Sequence, residues 1–164
     1  MTALIAPKMA ICKIDTFRNA VPQGERLIGL DVGKKTIGIA TCDGGWQVAT
    51  PHSILWRQKF TPDMEKLFQL IRDEGQIGGM VIGWPLNMDG SAGPRCDSIR
   101  DFTHAMLKLH DIPVLFQDER LSTAAVERAM VDADLTRQKR HLRRDALAAT
   151  WILQSALDLI RTMD

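Results

Sequence analysis

A chain of 164 residues with 45% hydrophobic and 25% charged side chains has the size of one globular domain, large enough to bury roughly two-thirds of its unfolded surface but too small for two full domains. Its formal net charge of +1 excludes polyanion binding by a globally basic surface, so any nucleic-acid contact must come from local clusters. No run of about 18 apolar residues exists, and Pro7, Lys8, Lys13, Asp15 and Arg18 interrupt the stretch through Ala20, so neither a membrane helix nor a secretory signal is predicted and the cytoplasm is the expected compartment.

Residues 1–24 have weak periodicity and end in Val21-Pro22-Gln23-Gly24, the pattern of an N-terminal arm, flexible in expectation, ahead of a single domain at 25–164. Strand-like segments come next at 26–31, 35–42 and about 46–55, separated by turns at Gly33-Lys34 and Asp43-Gly44-Gly45, which predicts an antiparallel meander. A helix is predicted from Thr61 to about Glu74, with Thr61 as cap, Pro62 in the first turn and Gly75 at the end. Met80-Val81-Ile82 reads as a short buried strand. Trp84 to Pro94 reads as a Gly- and Pro-punctuated loop, and about 95–109 as a helix carrying Ile99, Phe102, Met106 and Leu109 on one face. A strand at 113–116 and helices at about 122–132 and 143–162 complete the order βββ-α-β-α-β-α-α, with Ser122-Thr123 a serviceable cap for the first of those helices. An α/β domain is expected, with a mixed five-stranded sheet (three antiparallel strands, then two parallel) flanked by helices on both faces.

The three cysteines, Cys12, Cys42 and Cys96, are odd in number and far apart, which argues against a disulfide framework or a thiolate zinc site; the four histidines lack metal-binding spacing. Carboxylates are more informative. Asp31 ends the apolar run Leu27-Ile28-Gly29-Leu30, where a buried strand has no routine use for a charge whose desolvation costs several kcal/mol. Glu119 comes after a predicted strand, and Asp145 lies one turn before Ala148 and Ala149 on the inward stripe of the last helix. Element ends at one sheet edge are where α/β folds build sites, and hard oxygen donors suit Mg²⁺ or Mn²⁺. Two such ions can clamp the attacking water and leaving oxygen of a phosphodiester. Each acid also has an ordinary structural alternative: Asp31 capping a turn, Glu119 paired with Arg120, Asp145 favouring the positive end of its helix.

Four segments carry a resemblance: Ile28-Gly29-Leu30-Asp31-Val32-Gly33-Lys34-Lys35-Thr36-Ile37-Gly38-Ile39-Ala40; Gly83-Trp84-Pro85-Leu86-Asn87-Met88-Asp89-Gly90; Asp118-Glu119-Arg120-Leu121-Ser122-Thr123; and Asp145-Ala146-Leu147-Ala148-Ala149 with Ile152-Leu153-Gln154. In this order they resemble the YqgF family over about residues 25–160. The resemblance implies a ribonuclease-H-like fold and a nuclease that processes precursor 16S ribosomal RNA or, alternatively, resolves four-way DNA junctions. It implies that Asp31, Glu119 and Asp145 form a catalytic, metal-binding acidic triad for Mg²⁺ or Mn²⁺. Trp84 and Ser155 depart from the residues common in that family, which touches loop shape and helix packing rather than the acids.

Groups able to hold a substrate surround these acids. Arg137, Lys139, Arg140, Arg143 and Arg144 lie immediately before Asp145, and phosphate contacts from such a segment give salt-sensitive affinity with little sequence readout. Lys34 and Lys35, beside Asp31, can balance phosphate charge or be plain turn lysines. Arg95 and Arg120 complete the expected nucleic-acid-binding set, Arg95 at the end of the loop that begins at Trp84; a Trp between a buried strand and a proline is expected to pack rather than to stack on a base. The partner implied is precursor ribosomal RNA or branched DNA, with no membrane. The absence of a conspicuous self-complementary apolar face predicts a monomer or weak dimer and favours RNA over paired junction cuts. The Asp31–Ile39 segment also looks like the first phosphate hairpin of actin-like ATPases and sugar kinases, but those close two domains on a nucleotide and this chain has one. A non-catalytic nucleic-acid-binding module is the remaining alternative, and three converging negative charges argue against it.

Overall fold

The computed structural model describes residues 11–120 and 137–163, the side chains of 137–145 excepted. The helix expected at about 122–132 lies outside the described residues. The elements are β1 (Ile11–Cys12), α1 (Ile14–Ala20), β2 (Arg26–Val32), β3 (Thr36–Cys42), β4 (Ala49–Trp56), α2 (Phe60–Glu74), β5 (Ile77–Trp84), α3 (Pro94–Leu109), β6 (Val114–Asp118) and α4 (Arg137–Arg161). The strands form one mixed sheet in the order β1-β6-β5-β2-β3-β4. β2, β3 and β4 pair antiparallel, whereas β2, β5, β6 and β1 run parallel.

The runs in β2, β3 and β5 are apolar at nearly every position because both faces of the sheet are covered. On one face Ile28, Leu30, Ile37, Ile39, Met80 and Ile82 pack with Met64, Leu67 and Phe68 of α2 and Ile99, Phe102 and Met106 of α3. On the other, Leu27, Ala40, Val81 and Leu115 pack with Phe17 of α1 and Ala149, Ile152, Leu153, Ala156 and Leu157 of α4. The expected α/β architecture, with three antiparallel strands followed by parallel ones and helices on both faces, is the observed one.

The strand count is corrected from five to six. Residues 11–21, expected within a loosely attached arm, add β1 and α1 to the body: Ile11 and Cys12 register with Val114 and Leu115, and Phe17 is fully buried. A two-residue strand and a seven-residue helix with one buried anchor are too short to carry a periodic signal. Two boundaries also move. β4 begins at Ala49 rather than 46 because the Asp43 carboxylate accepts hydrogen bonds from the N–H groups of Gly45, Gln47 and Val48, folding that stretch into a turn. α2 is preceded by Lys59 without a side-chain cap; in place of the expected Thr61 cap, Asp63 reaches back to accept the Gln58 N–H.

Helix α4 is seated on the sheet at two points. A methyl group on Gly29 would lie 2.8 Å from Leu153 Cβ and 3.1 Å from the Ala149 carbonyl oxygen, so α4 rests on bare backbone of the central strand. From the next residue to the end of the helix it is tied to the start of β4: Gln154 Oε1 accepts the Ala49 N–H at 2.8 Å while Nε2 donates to the Gln47 carbonyl at 3.0 Å, and Arg161 Nη1 reaches the same carbonyl. These contacts set the C-terminal half of α4 beside the start of β4, and hence beside the start of β2, which runs in the same direction as β4 with β3 between them. The N-terminal half of α4 therefore extends over the carboxyl ends of β2, β5 and β6.

Candidate active site

Side-chain alternation decides where each acid points. Gly29 faces α4, so Asp31, two residues on, faces the same side at the end of β2. Leu30 is level with Ile82 of β5, so Asp31 and Gly83 come one step beyond on adjacent strands, about 5 Å apart by ordinary strand spacing. Gly83 is level with Gln117 of β6, and the chain continues through Asp118 to Glu119, whose N–H donates to the Trp84 carbonyl at 3.2 Å. That bond turns the Glu119 side chain back over Gly83: a methyl at position 83 would overlap Glu119 Oε2 and lie 2.7 Å from Ile152 Cδ1. Asp31 and Glu119 thus share one face of the sheet, at its carboxyl edge, on either side of a residue that has no side chain.

Asp145 completes the picture at the level of backbone. It lies one turn before Ala149, which packs on Gly29, and so occupies the stretch of α4 that overhangs the edge carrying Asp31. Its side chain, with those of Arg137, Lys139, Arg140, Arg143 and Arg144, lies outside the described residues. The helix is already formed at Arg137, so Asp145 is two turns inside it rather than in a first turn, and the five basic residues sit on helix rather than on a loop. Among the described residues no group of three or more His, Cys, Asp or Glu side chains gathers in one place.

Electrostatics distinguish Glu119 from its neighbour. The Arg120 guanidinium binds Asp118, with Nε 2.9 Å and Nη2 2.7 Å from Oδ2, and Nη1 reaches the Met88 carbonyl. Arg120 therefore pairs with Asp118 and ties the loop after β5 to the end of β6. It holds the Asp118 carboxyl below its ordinary pKa. The Glu119 side chain is 15% exposed, and Arg95 Nη2 lies 4.0 Å from its carboxylate. Burial raises its pKa, against the opposing pull of Arg95, with a smaller upward push from Asp118. A desolvated carboxylate beside a second one, over a glycine that leaves space, is a donor set that fits a hard divalent cation.

Of the other residues expected to touch a substrate, Lys34 and Lys35 are both exposed at the β2–β3 turn, and Arg95 stands at the start of α3. Trp84 packs as expected, stacked on Phe116 with ring centroids 4.6 Å apart and covered by Arg100. The sequence reading missed Gly83 and Gly29 as site residues. Their signal was present, since each glycine interrupts a run of bulky strand formers where a side chain would otherwise be expected.

Residues 25–159 match the RuvX family, whose description is Holliday junction resolvase. A relative from Rhodospirillum rubrum is 49% identical over 153 residues, spanning 93% of this chain and 94% of its own. One from Sphingopyxis alaskensis is 51% identical over 142 residues, spanning 87% and 92%. Both carry the provisional name pre-16S rRNA nuclease. Among solved structures, Thermus thermophilus RuvC in complex with a Holliday junction substrate is similar at 10% identity and a TM-score of 0.45, covering 84% of this chain and 96% of that one. The yeast mitochondrial Holliday junction resolvase is similar at 15% identity and a TM-score of 0.42, covering 98% and 95%. The family match over nearly all of the domain, with relatives at about half identity along the chain, places this protein in the RuvX family, the group its four motifs resemble under the name YqgF.

Proposed function

We propose that this protein is a metal-dependent nuclease that hydrolyses phosphodiester bonds in precursor 16S ribosomal RNA, trimming its 5′ end during ribosome biogenesis. The observation that carries this reading is the juxtaposition of Asp31 and a desolvated Glu119 across Gly83 at the carboxyl edge of the sheet. Family membership and the names of the relatives at 49% and 51% identity support the nuclease activity and the ribosomal substrate. Asp31, Glu119 and Asp145 are the residues that hold one or two Mg²⁺ or Mn²⁺ ions; when bound, such ions lower the pKa of a water and neutralise charge developing on the phosphoryl oxygens. Burial of Glu119, which raises its pKa against the pull of Arg95, strengthens its attraction for a cation placed beside it. Arg95, within ion-pair distance of Glu119, offers the first positive charge that a phosphate meets beside the acids. Arg137, Lys139, Arg140, Arg143 and Arg144 supply backbone contacts from the helix bearing Asp145, and Lys35 adds charge at the neighbouring turn. The protein acts in the cytoplasm as a monomer or weak dimer, and no described helix is long and apolar enough to cross a membrane.

The test is cleavage of end-labelled RNA spanning the 5′ precursor region of 16S ribosomal RNA, with a four-way DNA junction in parallel, in Mn²⁺, Mg²⁺ or chelator, comparing wild type with Asp31→Asn. Metal-dependent cutting of the RNA, reduced by orders of magnitude in the variant, is expected. Paired symmetric cuts in the junction alone would favour the resolvase activity that the family description names. Near-wild-type cleavage by Asp31→Asn would overturn the triad, and inactivity on both substrates would favour a binding module.

A further inference from the structure

Behind the β2–β3 turn, on the face of the sheet opposite Asp31, lies a cavity of about 460 Å³ whose wall carries three cations, Lys34, Arg57 and Arg95. Its position is dictated by alternation: Val32 lines it while Asp31, one residue earlier, faces α4. Arg57 is held in place by two neutral contacts, with Nη1 donating to the Gly33 carbonyl at 2.6 Å and the guanidinium 5.4 Å from the centroid of the Phe102 ring. Neither Arg57 nor Lys34 forms an ion pair with a carboxylate among the described residues. Arg95 has the distant Glu119 contact, which places it between the cavity and the acids. Among the described residues the one carboxylate on the wall, Asp63, is 3% exposed and already accepts the Gln58 N–H at 3.0 and 3.3 Å. Three cations against one satisfied carboxylate leave a net positive cavity, and the first turns of α2 and α3 open onto it with further partial positive charge.

We propose that this cavity binds a phosphate of the substrate strand flanking the scissile one, with Arg57 as its fixed donor and Lys34 and Arg95 closing around it. The inference rests on the proposed nuclease function. The strand crosses the carboxyl edge of the sheet at Asp31, so one phosphate meets the acids on the α4 side while a neighbour sits in the cavity on the α2–α3 side. Arg95, which lines the cavity and faces Glu119, connects the two positions. A planar guanidinium already oriented by a carbonyl loses little freedom on binding a phosphate, which suits it to setting the register of the strand over the acids.

The experiment is fluorescence anisotropy of end-labelled precursor RNA in chelator, where no cutting occurs, across a range of salt concentrations. Wild type is compared with Arg57→Gln and Arg57→Lys, with folding monitored by circular dichroism. Arg57→Gln is expected to weaken binding about ten-fold and to flatten the salt dependence by about one phosphate's worth, a slope change of roughly 0.7. Arg57→Lys keeps the charge without the fixed planar donor and is expected to keep the wild-type salt slope while losing part of the affinity. Wild-type affinity and slope in Arg57→Gln would overturn the proposal, as would an Arg57→Lys variant whose slope is as flat as that of Arg57→Gln, because the Gly33 contact rather than a phosphate would then be responsible. Inorganic phosphate is titrated separately and followed by melting temperature; protection that depends on Arg57, with RNA affinity unchanged, would assign the cavity to free phosphate and overturn the strand assignment. Should Arg57→Gln not fold, Lys34→Gln, at an exposed turn, carries the same expectation for affinity and slope. Metal-dependent cleavage by wild type separates the two readings: RNA cutting with Arg57-independent affinity sinks the cavity alone, whereas Arg57-dependent binding without cutting sinks the nuclease alone.

Discussion

Replacing Gly83 by alanine separates what the site needs from what the fold needs. The added methyl overlaps Glu119 Oε2 and lies 2.7 Å from Ile152 Cδ1, and both atoms are at the free ends of rotatable side chains. Overpacking of this kind costs about 1–3 kcal/mol, and the lower end applies where the neighbours can rotate away. Removing a strand glycine returns about 0.5–1 kcal/mol through the lost entropy of the unfolded chain. The net destabilisation is therefore no more than about 0.5 kcal/mol, a fall in melting temperature of at most about 2 °C for a chain of this length. Activity should respond far more. To restore an ordinary contact distance the Glu119 carboxylate must move by about 1 Å, and misplacement of that size costs roughly a hundred-fold in rate. The assay is metal-dependent RNA cleavage beside thermal unfolding of the same preparation. Turnover within a few-fold of wild type would refute the placement of Glu119 over Gly83 as a catalytic arrangement; a large loss of melting temperature accompanying the activity loss would refute the separation of site from fold.

Gly29→Ala should give the reverse pattern, because its methyl meets the Leu153 Cβ and the Ala149 carbonyl, atoms that cannot rotate away. A destabilisation of about 2–3 kcal/mol is expected by chemical denaturation. Gln154→Ala removes two hydrogen bonds that tie α4 to the start of β4 and should cost about 1–2 kcal/mol, read as an earlier unfolding midpoint with an unchanged denaturant slope. Glu119→Gln tests the desolvated carboxylate. Because burial raises its pKa, the folded state holds the Glu119 proton more tightly than the unfolded state, so stability is fully present below the ordinary value of 4.5 and is lost as pH rises through the raised value. In chelator at neutral pH the variant should melt higher than wild type, and below the ordinary glutamate pKa the two should converge. Added Mn²⁺ should raise the melting temperature of wild type but move the variant much less; equal metal shifts in both would exclude Glu119 as a ligand.

Much of this arrangement was legible in the sequence, and the parts that were not have identifiable physical reasons. Asp31 stood out because a charge ended an apolar strand, and the meander around it arises from turns and alternation that are local in sequence. The sixth strand was invisible because Ile11 and Cys12 are recognised as a strand only through their pairing with Val114 and Leu115, about a hundred residues away in the chain. The Arg120 side chain illustrates another limit. Its nearest carboxylates in sequence are Asp118 and Glu119, and only the turn after β6, with the Glu119 N–H on the Trp84 carbonyl, decides that Asp118 takes the guanidinium while Glu119 turns over the sheet. Arg57 was not singled out at all, since a lone arginine after a strand carries no pattern until the β2–β3 turn, α2 and α3 close a cavity around it.

The two central glycines explain how a carboxylate site can stand on such an apolar sheet. At Gly29 the missing side chain lets α4 approach close enough for Ala149 to touch backbone, which carries the stretch of helix before Ala149 over the end of β2. At Gly83, one strand over and two positions further along the register, the missing side chain leaves the volume into which Glu119 folds. A bulky residue at the first position would lift the helix and its acid away from the sheet; at the second it would push Glu119 outward toward solvent, where its charge would be hydrated and its demand for a cation relaxed. The small residue at position 83 draws the Glu119 carboxylate inward against an apolar floor, where burial raises its pKa and where, on the proposed function, a divalent cation would favour the charge. Metal binding and stability are then linked: the metal-dependent rise in melting temperature should be larger for wild type than for Gly83→Ala, even though the methyl leaves every carboxylate in the chain intact. Equal shifts in the two proteins would mean that the cation does not sense the position of Glu119.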